Sequence, residues 1–362
     1  MAGSLLCLSG PLYEWSQDAS DESVSFDDLH QRVIHQRPGG FSTVDIVHDG
    51  GVPDGLFVKF DADGLRRVRF SPDGLHFAFF CNRRFVGCAE TLQPSREPIA
   101  MNLRWSRADL EVLDLLWLPA TAQHPEQADI AVVTTYGIET FRLSFDQHAA
   151  RSLKAIPATV RMCWTDPASG MVLASTGPRT LQPFNLQSKS PKMPRFDLVL
   201  GRDQVIEALD VAVMTIYDAT YCIHADSSNG RVSLRNISNP SQGTPEHDIV
   251  IDVSEEESFS GTLRLSKVDN LLIVHCIERL VSMVFDIQHR EKSTVPSICG
   301  PSPIAHHARA EGEISWTGWN CLSGSAILDA RCGQVFQLRV DMGSVLQHFL
   351  ARSPSPYSES YY

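Results

Sequence analysis

The sequence predicts an all-β chain of repeated four-stranded sheets, and three observations carry that prediction. The first is local. Residues 161–164, 171–176, 180–186 and 196–200 have strand character. Turn chemistry separates them at Thr165-Asp-Pro-Ala-Ser-Gly170, at Gly177-Pro178 and in a Ser/Pro/Lys loop. Short strands divided by such signals form an antiparallel meander, and one meander cannot bury both its faces alone. The second observation is that the unit recurs. An apolar triplet opens a strand at Val24-Ser-Phe26, Val68-Arg-Phe70, Leu115-Leu-Trp117, Met162-Cys-Trp164, Asp210-Val-Ala212, Leu263-Arg-Leu265 and Ile314-Ser-Trp316. The steps between triplets are 44, 47, 47, 48, 53 and 51 residues. Four strands in roughly 40–50 residues, repeated, predict a β-propeller of seven blades. The fifth triplet is the weakest of the set, and a count of six stays open.

The third observation concerns the two ends. Residues 4–8 read as a lone strand before a Gly10-Pro11 break and an acidic, Ser-rich linker through Glu22. The last unit shows strands at 314–316, 326–329 and 335–340, and then lacks a fourth. The N-terminal strand is expected to fill that place, which would remove an open sheet edge. Residues 1–343 thus form the propeller. Residues 344–362 are expected to be a short amphipathic segment, with Val345, Leu346, Phe349 and Leu350, followed by a disordered tail.

In chain order, the first unit has strands near 24–26, 33–34, 44–47 and 56–60, with turns at Arg37-Pro-Gly-Gly40 and at residues 49–55. The second opens with Val68-Arg-Phe-Ser-Pro-Asp-Gly74, where Pro presets φ and Gly accepts φ > 0. That stretch resembles the first strand and turn of WD40 repeats, without their Gly-His and Trp-Asp signatures. In the third unit, Ile138, Thr140 and Arg142 alternate with Glu139, Phe141 and Leu143, the pattern of a half-buried strand. In the fourth, Pro183 within a strand predicts a bulge. The segments 236–257 and 288–313 read as polar loops, and the first of these explains the longer fifth step.

Composition narrows the function classes. Hydrophobic residues make up 43% and charged residues 20%, ordinary for a globular protein. With 31 Lys and Arg against 43 Asp and Glu, the formal charge of −12 opposes nucleic-acid binding, which needs a basic stripe. Arg66, Arg67 and Arg69 are the densest basic cluster. Alternation puts Arg67 and Arg69 on one face, read here as a solvated strand edge. Nine unpatterned cysteines and a start without a charged, apolar leader lead us to expect a reduced, intracellular protein. The longest apolar run, Leu271-Leu-Ile-Val274, is far short of the ~20 residues of a membrane span, so membrane contact is expected only through partners.

The search for chemistry returns little. No phosphate loop, dinucleotide-binding turn or nucleophile elbow occurs. Cys81 and Cys88 are seven apart without a second pair at zinc spacing, and read as buried thiols. The neighbours in His275-Cys276 point to opposite faces of a strand and cannot chelate together, whereas His306-His307 falls in a loop where chelation would need further partners. Glu255-Glu-Glu257 reads as a solvated loop, with docking of a basic partner as the alternative. Trp316 and Trp319 are expected to split between core and surface. No catalytic, cofactor-binding or metal-binding residue is assigned, no small-molecule substrate is expected, and the partner-binding residues stay unidentified. Absence of motifs does not exclude catalysis, and the residues alone describe a β-propeller used as an interaction platform, expected not to be an enzyme.

A resemblance sharpens this reading. Ile130-Ala-Val-Val-Thr-Thr-Tyr-Gly-Ile-Glu139, Leu181-Gln-Pro-Phe184, Lys192-Met-Pro-Arg-Phe196, Met214-Thr-Ile-Tyr217, Val268-Asp-Asn-Leu-Leu-Ile-Val-His275 and Val284-Phe-Asp-Ile287 occur in this order. In order and spacing they resemble the regulator subunit of the Mon–Ccz exchange complex (the Bulli or Mic-type colon-cancer-associated family). The resemblance covers roughly residues 5–345. It implies a propeller followed by a long α-helical region, acting as a non-catalytic scaffold for the Mon and Ccz subunits. That pair is the exchange factor for the late-endosomal Rab (Rab-seven), in endosome maturation, autophagy and lysosomal trafficking. It also implies a cytoplasmic protein held peripherally at late endosomes and lysosomes. A generic WD40-like adaptor in another trafficking or ubiquitin-ligase assembly stays open, as does a propeller hydrolase or lyase whose site is assembled from scattered loops.

Overall fold

A computed structural model describes residues 6–8, 11–14, 24–27, 29–45, 55–60, 64–81, 84–92, 97–105, 107–119, 128–202, 204–238, 249–252, 261–288, 297–302, 305–306, 319–321, 325–329, 333–341 and 343–344. Seven sheets follow one another, six of them antiparallel with four strands in chain order. This is a seven-bladed β-propeller. The opening strands of sheets 1 to 6 are Val24–Asp27, Leu65–Phe70, Val112–Trp117, Met162–Asp166, Val211–Ile216 and Leu263–Val268. Each coincides with one of the recurring triplets, so the fifth unit is real.

The chain divides into two compact units. One, residues 19–226 and 231–250, holds the first five sheets. The other, residues 1–18, 227–230 and 251–362, holds the sixth and seventh.

Within the first unit, the period-2 alternation of each strand explains the packing. In the second sheet, Phe77, Phe79 and Cys81 face sheet 1 and join Ile34, Phe41, Val58 and Phe60. Their alternates Ala78 and Phe80 face sheet 3 and join Trp117, Ile130, Val132 and Phe141. The opposite face of sheet 3, through Ala131, Val133 and Ile138, packs on Val172, Ala174 and Phe184 of sheet 4. Sheet 4 in turn covers Val211 and Cys222 of sheet 5 with Met171, Leu173 and Leu181. A blade is therefore greasy on both faces, and apolar burial between neighbours drives its formation.

That geometry corrects the half-buried reading of Gly137–Ser144. Ile138, Glu139, Thr140, Phe141 and Leu143 are all buried, because a neighbouring sheet covers each face. The carboxylate of Glu139 accepts from the Arg104 amide at 2.8 Å and from Ser152 Oγ at 2.7 Å. Gly137 closes this strand's turn at φ 142°, and a Cβ there would lie 2.1 Å from the Ile156 carbonyl. Only glycine fits that approach.

The bulge expected at Pro183 falls on the outer side only: Leu181 pairs with Phe196 but Phe184 with Lys192, so residues 182–183 face three residues, 193–195. Thr180–Asn185 pairs with Met171–Ser175 in unbroken register, Leu173 opposite Pro183. The Pro183 carbonyl points outward to accept from the Met193 amide, so its missing N–H also belongs to the outer side and the inner ladder loses nothing. The buried Gln182 amide side chain donates instead to the Met193 carbonyl that residue 183 would have served.

Two predicted loops each contain the outermost strand of a sheet. Ile249–Asp252 completes sheet 5 within the segment 236–257, and Ser297–Ser302 completes sheet 6 within 288–313. An outermost strand pairs along one edge only, so its apolar pattern is weak and the surrounding polar residues hide it.

In the second unit the ends of the chain meet. Leu6–Leu8 pairs antiparallel with Gln334–Val340, setting Leu6 opposite Val340 and Leu8 opposite Leu338. The expected fourth strand of the last sheet is therefore supplied by the N-terminus. Leu6 and Leu8 are fully buried with Ile273, Val284, Trp319, Ile327 and Phe336. A short parallel strand, Ala305–His306, runs along the outer edge of Leu6–Leu8. The first described strand of the seventh sheet is Trp319–Cys321. The strand expected at 314–316, the Glu255–Glu257 run and the segment 345–362 lie outside the described residues.

Candidate functional site

Two places in the five-sheet unit gather polar chemistry. The first lies along the opening strands of sheets 2, 3 and 4, which neighbour one another in turn. Bulges after Leu65 and Val112 reset the register, and alternation then puts Arg67 and Arg69 on one side facing Asp114. Asp114 accepts from Arg67 Nη1 at 3.1 Å, from Arg69 Nη2 at 3.4 Å, from Thr165 Oγ1 at 2.9 Å and from the Leu115 amide at 2.8 Å. Its side chain is 7% exposed, against 41% for Arg67 and 23% for Arg69.

Burial opposes ionisation of Asp114, yet the two guanidiniums, the amide and the threonine outweigh it and hold the carboxyl below its ordinary range. Arg67 is held above its ordinary value, first by Asp114. The arginines are on one face, as alternation predicted, but the solvated-edge reading is overturned: they bridge to a buried carboxylate in the next sheet. The usable signal was Asp114 itself, a lone acid inside Val112-Leu-Asp-Leu-Leu-Trp117. Similar polar links continue outward from this cluster, with Trp117 Nε1 donating to the Arg69 carbonyl at 2.9 Å and Thr215 Oγ1 to Asp166 at 2.5 Å. All of Asp114's donors come from this chain, so the arrangement fixes neighbouring blades to one another.

The second place is at one end of the sheets. In a four-stranded meander, the first and third turns share an end. At that end of sheet 2, Ser71 Oγ donates to Asp73 and accepts from the His76 amide at 3.0 Å, while the Thr91 amide donates to the Leu75 carbonyl at 2.8 Å. This ties Leu75 to the residue before Leu92, and the two leucines are 56% and 81% exposed. The matching turn of sheet 1 presents Leu29 beside His30, whose Nε2 would lie 3.6 Å from a Cβ at Gly74. Next to these leucines a cleft is lined by His76, Glu90, Glu97, Ile99, Phe145 and His148. His76 stacks on Phe145 with ring centroids 3.5 Å apart. Burial lowers the His76 pKa against the pull of Asp73 and Glu90, so the imidazole is neutral near pH 7.

The other singled-out residues are structural where described. Cys81 and Cys88 are buried, as expected, and lie on opposite faces of sheet 2. His275 is fully buried, with Nδ1 2.7 Å from Ser282 Oγ and Nε2 3.0 Å from Ser266 Oγ, and burial pushes its pKa down to about 3. Trp319 is in the core at 5% exposure, whereas Trp316 and His307 lie outside the described residues. Among the described residues no group of three or more His, Cys, Asp or Glu is placed to hold a metal, and no helix is long and apolar enough to cross a membrane.

No family model matches the sequence. Among curated proteins, the human regulator of the MON1-CCZ1 complex is 22% identical over an alignment of 357 residues, covering 89% of this chain. This chain resembles the Mon–Ccz regulators. The mouse regulator of the same complex is 21% identical over the same span. The chain spans about half, 52%, of the length of each of these relatives. Among solved structures, Hsv2 of Kluyvelomyces marxianus superposes with a TM-score of 0.50 at 12% identity, covering 88% of this chain and 96% of that one. KlHsv2 with its loop 6CD replaced by a Gly-Ser linker gives 0.53 at the same identity and coverage. Those likenesses show the propeller fold and nothing further.

Proposed function

We propose that this chain is a regulatory subunit of the Mon–Ccz complex, a non-catalytic scaffold that holds the Mon and Ccz subunits through its propeller. In this reading the Mon–Ccz pair performs guanine-nucleotide exchange on the late-endosomal Rab (Rab-seven). The present chain supports that activation in endosome maturation, autophagy and lysosomal trafficking. It works in the cytoplasm at late-endosomal and lysosomal surfaces, reaching the membrane through its partners.

The observation that carries the reading is the extent of the likeness to the named regulators. It runs through 89% of the chain, so it follows the succession of blades and not one motif. The physical character of the described residues agrees. Asp114, paired with Arg67 and Arg69 and accepting from Thr165, ties neighbouring sheets together as a scaffold requires. The formal charge of −12 likewise suits a protein-binding surface better than a phosphate-rich one.

The test is a pull-down of the 362-residue chain against the Mon and Ccz subunits of its own species, followed by titration. Retention is expected, with a dissociation constant at or below the micromolar range. No retention at micromolar concentrations removes the reading.

A further inference from the structure

The apolar end of sheets 1 to 3 has a chemistry that selects its occupant. Leu29, Leu75 and Leu92 are 56%, 56% and 81% exposed there, on turns that hydrogen bonds hold in place. Thr91 fixes the leucine pair from both sides, its amide to the Leu75 carbonyl and its hydroxyl to the Gly74 carbonyl at 2.9 Å. An ordered apolar surface of this kind loses little entropy on docking. Glu90 and Glu97 line the adjoining cleft with the His76–Phe145 stack, and the turns next to it carry Asp73 and Asp146. Leucines beside carboxylates repel anionic lipid and nucleic acid, and attract a segment that is apolar and cationic together.

We propose that this end of sheets 1 to 3 is the docking surface for a protein partner. Its occupant is a partner segment with one or two large apolar side chains flanked by lysine or arginine. The apolar side chains lie on Leu75 and Leu92, and the cations meet Glu97 and Asp146 at the cleft. This rests on the proposed function and names the surface by which the chain holds the Mon–Ccz pair. The opposite end of the unit is a built-in comparison. Val199, 91% exposed, sits on a loop pinned by Arg179 to the carbonyls of Leu200, Gly201 and Arg202.

The experiment measures binding of the 362-residue chain to purified Mon–Ccz heterodimer, for the unaltered chain and three variants whose melting temperatures are checked first. Leu75→Asp with Leu92→Asp is expected to weaken binding at least about tenfold, as loss of central anchors does. Glu97→Lys with Asp146→Lys, at exposed positions that folding does not need, is expected to weaken it about threefold to tenfold at low salt and much less at high salt. Val199→Asp is expected to bind as the unaltered chain does. No binding by the unaltered chain removes the proposed function itself. Binding by all variants at unaltered affinity removes this surface and leaves the function standing. If the leucine variant does not fold, the charge-reversal pair decides alone, and unaltered affinity at low salt overturns the proposal. Equal loss in Val199→Asp also overturns it, since a specific surface would not extend to the far end.

Discussion

The N-terminal strand is the part of the fold whose removal has the most definite consequence. Leu6 and Leu8 are 0% and 1% exposed, packed among Ile273, Trp319, Ile327 and Phe336. Replacing either by alanine removes buried methylene groups and leaves a cavity, at about 2–5 kcal/mol each. Two such losses amount to about 4–10 kcal/mol, comparable with the whole stability of an ordinary domain, about 5–15 kcal/mol. A three-residue strand held by pairing with Gln334–Val340 and Ala305–His306 has little else to keep it in place. The double variant Leu6→Ala/Leu8→Ala should therefore release the strand before the sheets unfold. Cys7 between them reports the release. It is half-buried, burial raises its pKa first and foremost, and its Sγ lies 3.8 Å from the Arg339 carbonyl. Alkylation mapped to Cys7 should accelerate by at least an order of magnitude in the variant, and the melting temperature should fall by many degrees. Deleting residues 1–10 should lower the melt by a similar amount. Unchanged Cys7 labelling with an unchanged melt would refute the pairing of the chain's ends.

Two further outcomes follow from buried charge and buried imidazole. Asp114→Ala leaves Arg67 and Arg69 facing each other without their anion, expected to cost roughly 3–5 kcal/mol in urea unfolding, toward the lower end because Arg67 reaches solvent; a loss below about 1 kcal/mol would restore the solvated-edge reading. His275 is held neutral by burial with a pKa of about 3, so as pH falls below the ordinary histidine value the unfolded chain takes up a proton that the native chain does not. Its contribution to stability is complete above about pH 6.5 and declines as pH falls toward 3, by about 2 kcal/mol at pH 5. His275→Gln should flatten that part of the stability–pH curve relative to the unaltered chain, and an identical slope in both would show that His275 titrates normally when folded.

The propeller was legible because its signals are local and repeated. Phe26, Phe70, Trp117, Trp164 and Leu265 each end an opening triplet, and each marks an opening strand of a sheet. Turn chemistry such as Ser71-Pro-Asp-Gly74 is fixed by φ preferences that need no tertiary context, and Gly74 takes φ 70° as expected. The outermost strands Ile249–Asp252 and Ser297–Ser302 were hidden for the converse reason. They pair on one edge, and their sequences are not constrained as the inner ones are. Pro183 perturbs only the side toward which its missing N–H would point: the outer pairing shifts by one residue there while the inner ladder stays in register, and Gln182 supplies the absent donor.

Alternation alone put Arg67 and Arg69 on one face, set Phe77 and Ala78 on opposite faces, and marked Leu6 and Leu8 as a strand in need of a sheet. Those are properties of a chain's own period, which neighbours cannot change. What covers each face is decided elsewhere, by residues of a neighbouring sheet or, for Leu6, at the far end of the chain. Only the assembled blades brought Asp114 between the two arginines, buried Glu139, and tied Leu75 to the residue before Leu92 next to an acidic cleft. Burial and pairing depend on what stands opposite, and a repeat read along one chain does not contain that distance.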